Sequence, residues 1–255
     1  MLTEVRYPIA LFSIQHLVFL AVTVPVAAII ASYLTKKLGF NKKVIWVCAI
    51  IGLLCELQRI MFFIEGSIAE GFRLPGHQLP LNACPFQVVL IVILALSQKP
   101  EEHRKLLSYM YPMMVCGGFL GMLLAGEALS YHGLSDFATY RFFFYHMMVI
   151  SLGLYLYLSK PFQYSIREYF MSMFLTFCSM FMGIWANAFF GWEPRANHMF
   201  IVRPPADGLP ILNLSHGWPV YILNLAWIGF VLITLCYLSV IIKAVKEKLK
   251  VKASG

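Results

Sequence analysis

Charge is scarce in this sequence. Only 13% of its residues are Asp, Glu, Lys or Arg, about half the share of an ordinary soluble domain. With 60% of the 255 residues hydrophobic, a soluble globular enzyme is excluded, and so is a disordered chain. Strict apolar–polar alternation is also missing, which excludes an outer-membrane barrel. No C-x-x-C occurs, and Cys48, Cys55, Cys84, Cys116, Cys178 and Cys236 all lie inside apolar runs. They read as buried small hydrophobes, not as a disulfide framework. No internal repeat or low-complexity tract is visible. The first apolar run is too long for a cleavable signal peptide and lacks a basic segment before it.

What the sequence does have is long apolar runs. Seven of them, about 20 residues each, are expected to span a bilayer, at 9–34, 44–64, 79–97, 106–126, 140–159, 169–190 and 218–242. The fold class is therefore all-α, a polytopic seven-helix membrane bundle in one domain, residues 1–255. The net charge of +8 does not point to nucleic acid, because its distribution follows topology. Lys36, Lys37, Lys42, Lys43, Lys99, Arg104, Lys105, Lys160, Arg167 and the lysines of the 243–255 tail fall on one face. Arg6, Arg73, Arg141, Arg195 and Arg203 fall on the other. The positive-inside rule then places the N-terminus outside and the basic tail in the cytoplasm. The location expected is the cell membrane, the partners are its phospholipids, and no soluble partner is implied.

Polar groups inside a membrane are costly and mark function. Gln15, His16, Glu56, Gln58, Arg59, Asn82, Gln87, His146, Asn187 and Asn224 all fall in the outer half under this topology. That asymmetry predicts a polar cavity open to the outer leaflet. Glu56 and Arg59, three apart, share a helix face and can pair, or Arg59 can hold a lipid headgroup. The loop at 191–217 is long, and its aromatic, apolar and basic mixture suggests a lid over the bundle mouth or a segment in the interface.

Pro80 and Pro85 bracket the start of the third run and place Cys84 in or beside a first helical turn. Free N–H groups and the helix dipole there favour a thiolate. A thiol nucleophile needs a base and an acid, and His146, about two turns into the fifth run, lies at matching depth. His77, His132, His198 and His216 follow no metal-ligand spacing; neither a metal nor a cofactor is expected. Gly117-Gly118-x-x-Gly121 reads as close helix packing.

Three stretches carry a family resemblance. Leu79-Pro80-Leu81-x-x-Cys84 resembles the L-P-L-H-x-C motif of the YwaF family of bacterial membrane proteins. Asn197-x-Met199-Phe200-x-x-x-Pro204 resembles its N-Y-M-F-L-x-x-x-P loop, and Gly217-Trp218-Pro219-Val220-Tyr221 its G-P-W-P-W-Y segment. Glu56 resembles an acidic residue of the second helix. Animal relatives of that family are acyltransferases that move a fatty acyl chain onto a lyso ether phospholipid through a cysteine acyl-enzyme with a partner histidine. More distant relatives are membrane threonine hydrolases of fatty-acid esters. The resemblance implies Cys84 as nucleophile and His146 as its partner, Asn82 and Asn197 as oxyanion or supporting groups, and Glu56, Arg59, Arg203, Trp218 and Tyr221 around the substrate. This chain departs from the motifs at Asn82, Pro85, His198 and Val220. The reading that follows is a phospholipid acyltransferase or acyl hydrolase; the alternative is a lipid or solute binder or transporter using the same outer cavity without chemistry.

Overall fold

The computed structural model describes residues 9–64, 71–76, 79–125, 133–134, 136–190, 196–206 and 208–253. These form eight helices: α1 (Ile14–Leu38), α2 (Lys42–Phe63), α3 (Ala83–Leu96), α4 (Arg104–Leu123), α5 (Phe137–Leu158), α6 (Ile166–Phe190), α7 (Trp218–Cys236) and α8 (Leu238–Ala253). No strand occurs among the described residues. Helix starts follow capping chemistry. The Ser13, Asn41 and Asp136 side chains each accept a backbone N–H of the first turn of α1, α2 and α5. Before α6, Ser165 and Glu168 form a capping box in which the Ser165 N–H and hydroxyl both donate to the carboxylate. Gly39, with φ at 56°, closes α1.

Six helices are long and apolar enough to cross a membrane: α1, α2, α4, α5, α6 and α7. The expected third span differs. It is realised as α3, only 14 residues long, where a full crossing needs about 20. The prolines explain the shortening, since Pro80 and Pro85 hold residues 79–82 out of the helix. The seventh span also ends earlier than expected. α7 stops at Cys236 because Tyr237 leaves helical geometry (φ −93°, ψ 7°), and its hydroxyl donates to the Ser108 carbonyl at 3.0 Å. The basic tail is thus helical, forming most of α8.

α5 is the axis of the bundle. It packs against α1, α2, α3 and α4, and its buried residues run around its whole circumference, from Phe143 and His146 to Tyr155 and Leu156. α6 is amphipathic in the opposite sense to a soluble helix. Phe170, Phe174, Phe177, Phe181 and Trp185 are each more than half exposed, while Glu168, Ser172, Ser179, Gly183 and Asn187 are buried. Such an outer face is stable only against lipid. The chain is a multi-pass membrane protein.

The α4–α5 seam is lined by glycine. A methyl group added at Gly118 would sit 2.8 Å from Ile150 Cγ1, and one at Gly153 2.7 Å from Met114 Cβ and 3.2 Å from the Tyr111 carbonyl. The backbone at that last contact cannot yield. α4 itself changes pitch in the seam: after Pro112, Met113–Gly117 forms a π-helical turn. Gly153→Ala should therefore destabilise the fold by about 1–3 kcal/mol through overpacking. Gly117→Ala, where the added methyl meets nothing within 4 Å, should be neutral or stabilising by up to ~1 kcal/mol. Thermal melts in detergent check the contrast; equal melting temperatures would sink it.

Candidate functional site

Cys84, His146 and Asn82 lie around the start of α3. Cys84 is the second residue of α3 and half-buried. Its thiol points at the Gly117 carbonyl, 3.7 Å away in the π turn of α4. The Tyr145 hydroxyl of α5 donates to the Cys84 carbonyl at 2.5 Å. This last bond fixes the start of α3 on α5, and no motif marks it; adjacency to His146 is the one available signal.

His146 is buried on α5. Its Nδ1 lies 2.8 Å from the Phe142 carbonyl one turn back. A carbonyl only accepts, so Nδ1 carries a proton, and in the neutral form of the ring Nε2 presents a lone pair. Nε2 lies 2.8 Å, and the Cys84 sulfur 3.3 Å, from the point where a Cβ on Gly121 would stand. Both atoms pack against the bare Gly121 backbone, closer than a side chain there would allow, and are separated by no more than the sum of those distances. Gly121 was expected to serve packing; it also lets these two side chains close on the α4 backbone.

Asn82 caps nothing with its side chain. Its Oδ1 accepts the Met199 N–H at 2.9 Å, which ties the loop after α6 to the start of α3. That loop is densely bonded. Asn197 Oδ1 accepts from the Val202 and Arg203 N–H groups, both at 3.1 Å, and its Nδ2 donates to the Arg203 carbonyl at 3.0 Å. Trp218 Nε1 donates to the Ile201 carbonyl at 2.8 Å. The Tyr221 hydroxyl donates to the Phe200 and Arg203 carbonyls. Asn187 exchanges hydrogen bonds with the His198 backbone in both directions, each at 2.8 Å. Asn197, Trp218 and Tyr221 were expected beside a substrate. Their polar atoms are engaged with main chain, and Arg203 enters this network through its backbone. The knot holds Met199 and Phe200 at φ of 56° and 55°, where non-glycine residues are strained.

Glu56 and Arg59 form the expected pair. Arg59 Nε and Nη2 both donate to Glu56 Oε2, at 2.9 and 2.8 Å, with little exposure of either side chain. Arg141 of α5, not singled out in the sequence, lies within electrostatic reach of both and approaches the Cys55 carbonyl at 3.4 Å. Among the described residues the group holds two guanidinium charges and one carboxylate in an apolar setting. Gln87, three residues after Cys84 on the same side of α3, is buried, and neither of its amide atoms has a hydrogen-bond partner. His16 is buried with both ring nitrogens used: Nδ1 accepts the Phe12 N–H and Nε2 donates to the Met122 carbonyl.

Among the described residues, no group of three or more His, Cys, Asp and Glu converges to hold a metal. His77 and His132 lie outside the described residues, as do residues 191–195 of the long loop. A cavity of about 410 Å³ opens at the other end of α4, lined by His103, Arg104, Lys105, Arg167 and Glu168 among others; it is not the outer cavity expected beside Cys84.

A family model described as the TMEM164 family matches residues 11–237, most of the chain, and the chain belongs to that family. Neither a curated protein nor a solved structure matches it.

The loop knot generates a measurable expectation. Asn197→Ala removes three hydrogen bonds and leaves the Val202 and Arg203 N–H groups to find new partners. The loss should be about 2–4 kcal/mol of stability, read as a lower melting temperature and as new protease cleavage within 196–206. Unchanged melting and an intact loop would refute the assignment.

Proposed function

We propose that this TMEM164-family protein is a membrane-embedded lipid acyltransferase or acyl hydrolase that carries the acyl group on Cys84. The observation that supports the reading best is the convergence of the Cys84 sulfur and the His146 Nε2 on the bare backbone at Gly121. The motif resemblance points to the same two residues. In the proposed cycle Nε2 takes the Cys84 proton and the thiolate attacks an acyl-ester carbonyl. The tetrahedral intermediate collapses as the imidazolium returns that proton to the leaving alcohol. A second alcohol, or water, then attacks the thioester by the reverse steps.

The oxyanion needs donors. Asn82 stands at the N-terminus of α3, and the unpartnered Gln87 amide one turn on is a further donor in this reading. Asn197 acts one step back, by fixing the loop that Asn82 binds. Glu56, Arg59 and Arg141 stand beside the headgroup in this reading, and Arg203, Trp218 and Tyr221 shape the edge of the site through the loop. In this reading α3, with the segment before it, makes the seventh passage through the cell membrane, leaving the N-terminus outside and the lysine-rich C-terminus in the cytoplasm. A lid role for 191–217 belongs to the same proposal. The runner-up, a lipid or solute binder or transporter, draws support from the cavity at the other end of α4, which would be its inner vestibule.

Intact-mass measurement of the purified protein, incubated with mixed phospholipids, separates the two. The acyl reading expects a fatty-acyl mass gain that neutral hydroxylamine removes and that Cys84→Ala abolishes. His146→Ala should slow its appearance by about 10²–10⁴-fold. An adduct persisting in Cys84→Ala would overturn the choice of nucleophile, and lipid binding untouched by that substitution, with no adduct on the native chain, would favour the binder. Gln87→Met adds a sharper test. Removing a buried, unpartnered amide should raise the melting temperature, while loss of an oxyanion donor should slow acylation by about 10²-fold or more. A variant that is more stable and equally active would exclude Gln87 from the reaction.

A further inference from the structure

The sequence offers no reason to pair any two of its six cysteines. In the fold, Cys116 and Cys236, far apart in the chain, have their sulfurs 3.3 Å from each other, both as free thiols. Each sits at a helix irregularity. Cys116 is in the π turn Met113–Gly117 of α4, and Cys236 is the last residue of α7, before the break at Tyr237. Three contacts hold the pair in place: the Tyr111 hydroxyl donates to the Cys236 carbonyl at 2.9 Å, the Tyr237 hydroxyl to the Ser108 carbonyl at 3.0 Å, and the Cys116 thiol points at the Leu232 carbonyl at 3.7 Å. A disulfide needs about 2.05 Å between the sulfurs, and local departures from helix on both sides provide the backbone freedom to close that gap. Both side chains are half-buried on membrane-spanning helices, a position that an apolar oxidant reaches and a charged one does not.

We propose that Cys116 and Cys236 form a redox-active dithiol oxidised to a disulfide by organic hydroperoxides of the acyl-chain region. One thiol sulfur attacks the peroxide, the O–O bond breaks, and a sulfenic acid and an alcohol form. The second thiol then attacks the sulfenic sulfur; the S–S bond forms and water leaves with the second proton. Two thiols and one hydroperoxide become one disulfide, one alcohol and one water. The two electrons pass from the sulfurs to the peroxide oxygens. Closure draws on the same π turn whose Gly117 carbonyl faces the Cys84 thiol. The state of the dithiol is therefore communicated to Cys84 whether or not Cys84 carries acyl groups.

The test treats the detergent-purified full chain with cumene hydroperoxide, and in parallel with glutathione disulfide, followed by intact mass and peptide mapping. The expected result is loss of two hydrogens and a Cys116–Cys236 cross-linked peptide, formed over minutes to hours and faster with the hydroperoxide. Cys116→Ser and Cys236→Ser should each abolish it. The rate of maleimide labelling at Cys84 should differ about threefold or more between oxidised and reduced protein. Thiols that stay individually alkylatable in excess hydroperoxide, or that each gain oxygen without cross-linking, would overturn the proposal. Equal rates with glutathione disulfide would overturn the apolar-oxidant part, and an unchanged Cys84 rate the coupling. Mapping of the native chain decides the first point even if a serine variant fails to fold.

Discussion

The close approach of α4 and α5 is the constraint on which the remaining geometry depends. Lipid tails are as apolar as leucine, so helices in a membrane gain little by burying apolar surface against one another. They gain by packing closely, and closeness requires missing side chains. Gly118, Gly121 and Gly153 supply that absence on both sides of one seam. At Gly118 and Gly153 the space is filled by Ile150 and Met114. At Gly121 it is filled by a histidine ring and a cysteine sulfur. One packing device thus serves adhesion over most of its length and, at its end, brings Cys84 and His146 to the same stretch of α4.

The π turn of α4 gives the seam a second consequence. Pro112 has no N–H to offer and begins an irregular stretch. Widening the helix there turns the Gly117 carbonyl toward Cys84 and the Cys116 thiol toward Cys236. A carbonyl aimed across to α3 and a thiol aimed across to α7, from adjacent residues, make this turn the mechanical link between the two cysteine sites.

Hydropathy made most of the fold legible, because apolar length and capping residues are local properties. Cys84 at a helix start and the Glu56–Arg59 pair were legible for the same reason: spacing along one helix determines them. Asn197, Trp218 and Tyr221 were read as substrate residues because they are polar or amphipathic and stand in motifs. In the fold their donors and acceptors meet main-chain groups of residues 198–203. A side chain bonded to a backbone carbonyl leaves no mark in the sequence, since every residue carries that carbonyl. Tyr145 on the Cys84 carbonyl escaped for the same reason, and Arg141 because its charge partners lie on another helix. α3 was overestimated because apolar content extends past the prolines that end helical backbone.

The strain in the loop after α6 bears on what those motif residues do. Two successive non-glycine residues at positive φ cost about 1–3 kcal/mol each, and nothing in the identity of Met199 or Phe200 favours that conformation. It persists because Asn187, Asn197, Trp218 and Tyr221 take up the surrounding carbonyls and N–H groups, and because Met199 packs where Gly183 leaves room. The result of that expense is one N–H, that of Met199, delivered to Asn82 two residues before Cys84. Without that bond Asn82 would be free to turn back and cap its own helix, as asparagine at this position ordinarily does. The loop thus keeps the first turn of α3 uncapped by its own side chain, which leaves the N–H groups beside Cys84 open to whatever negative charge is brought to them.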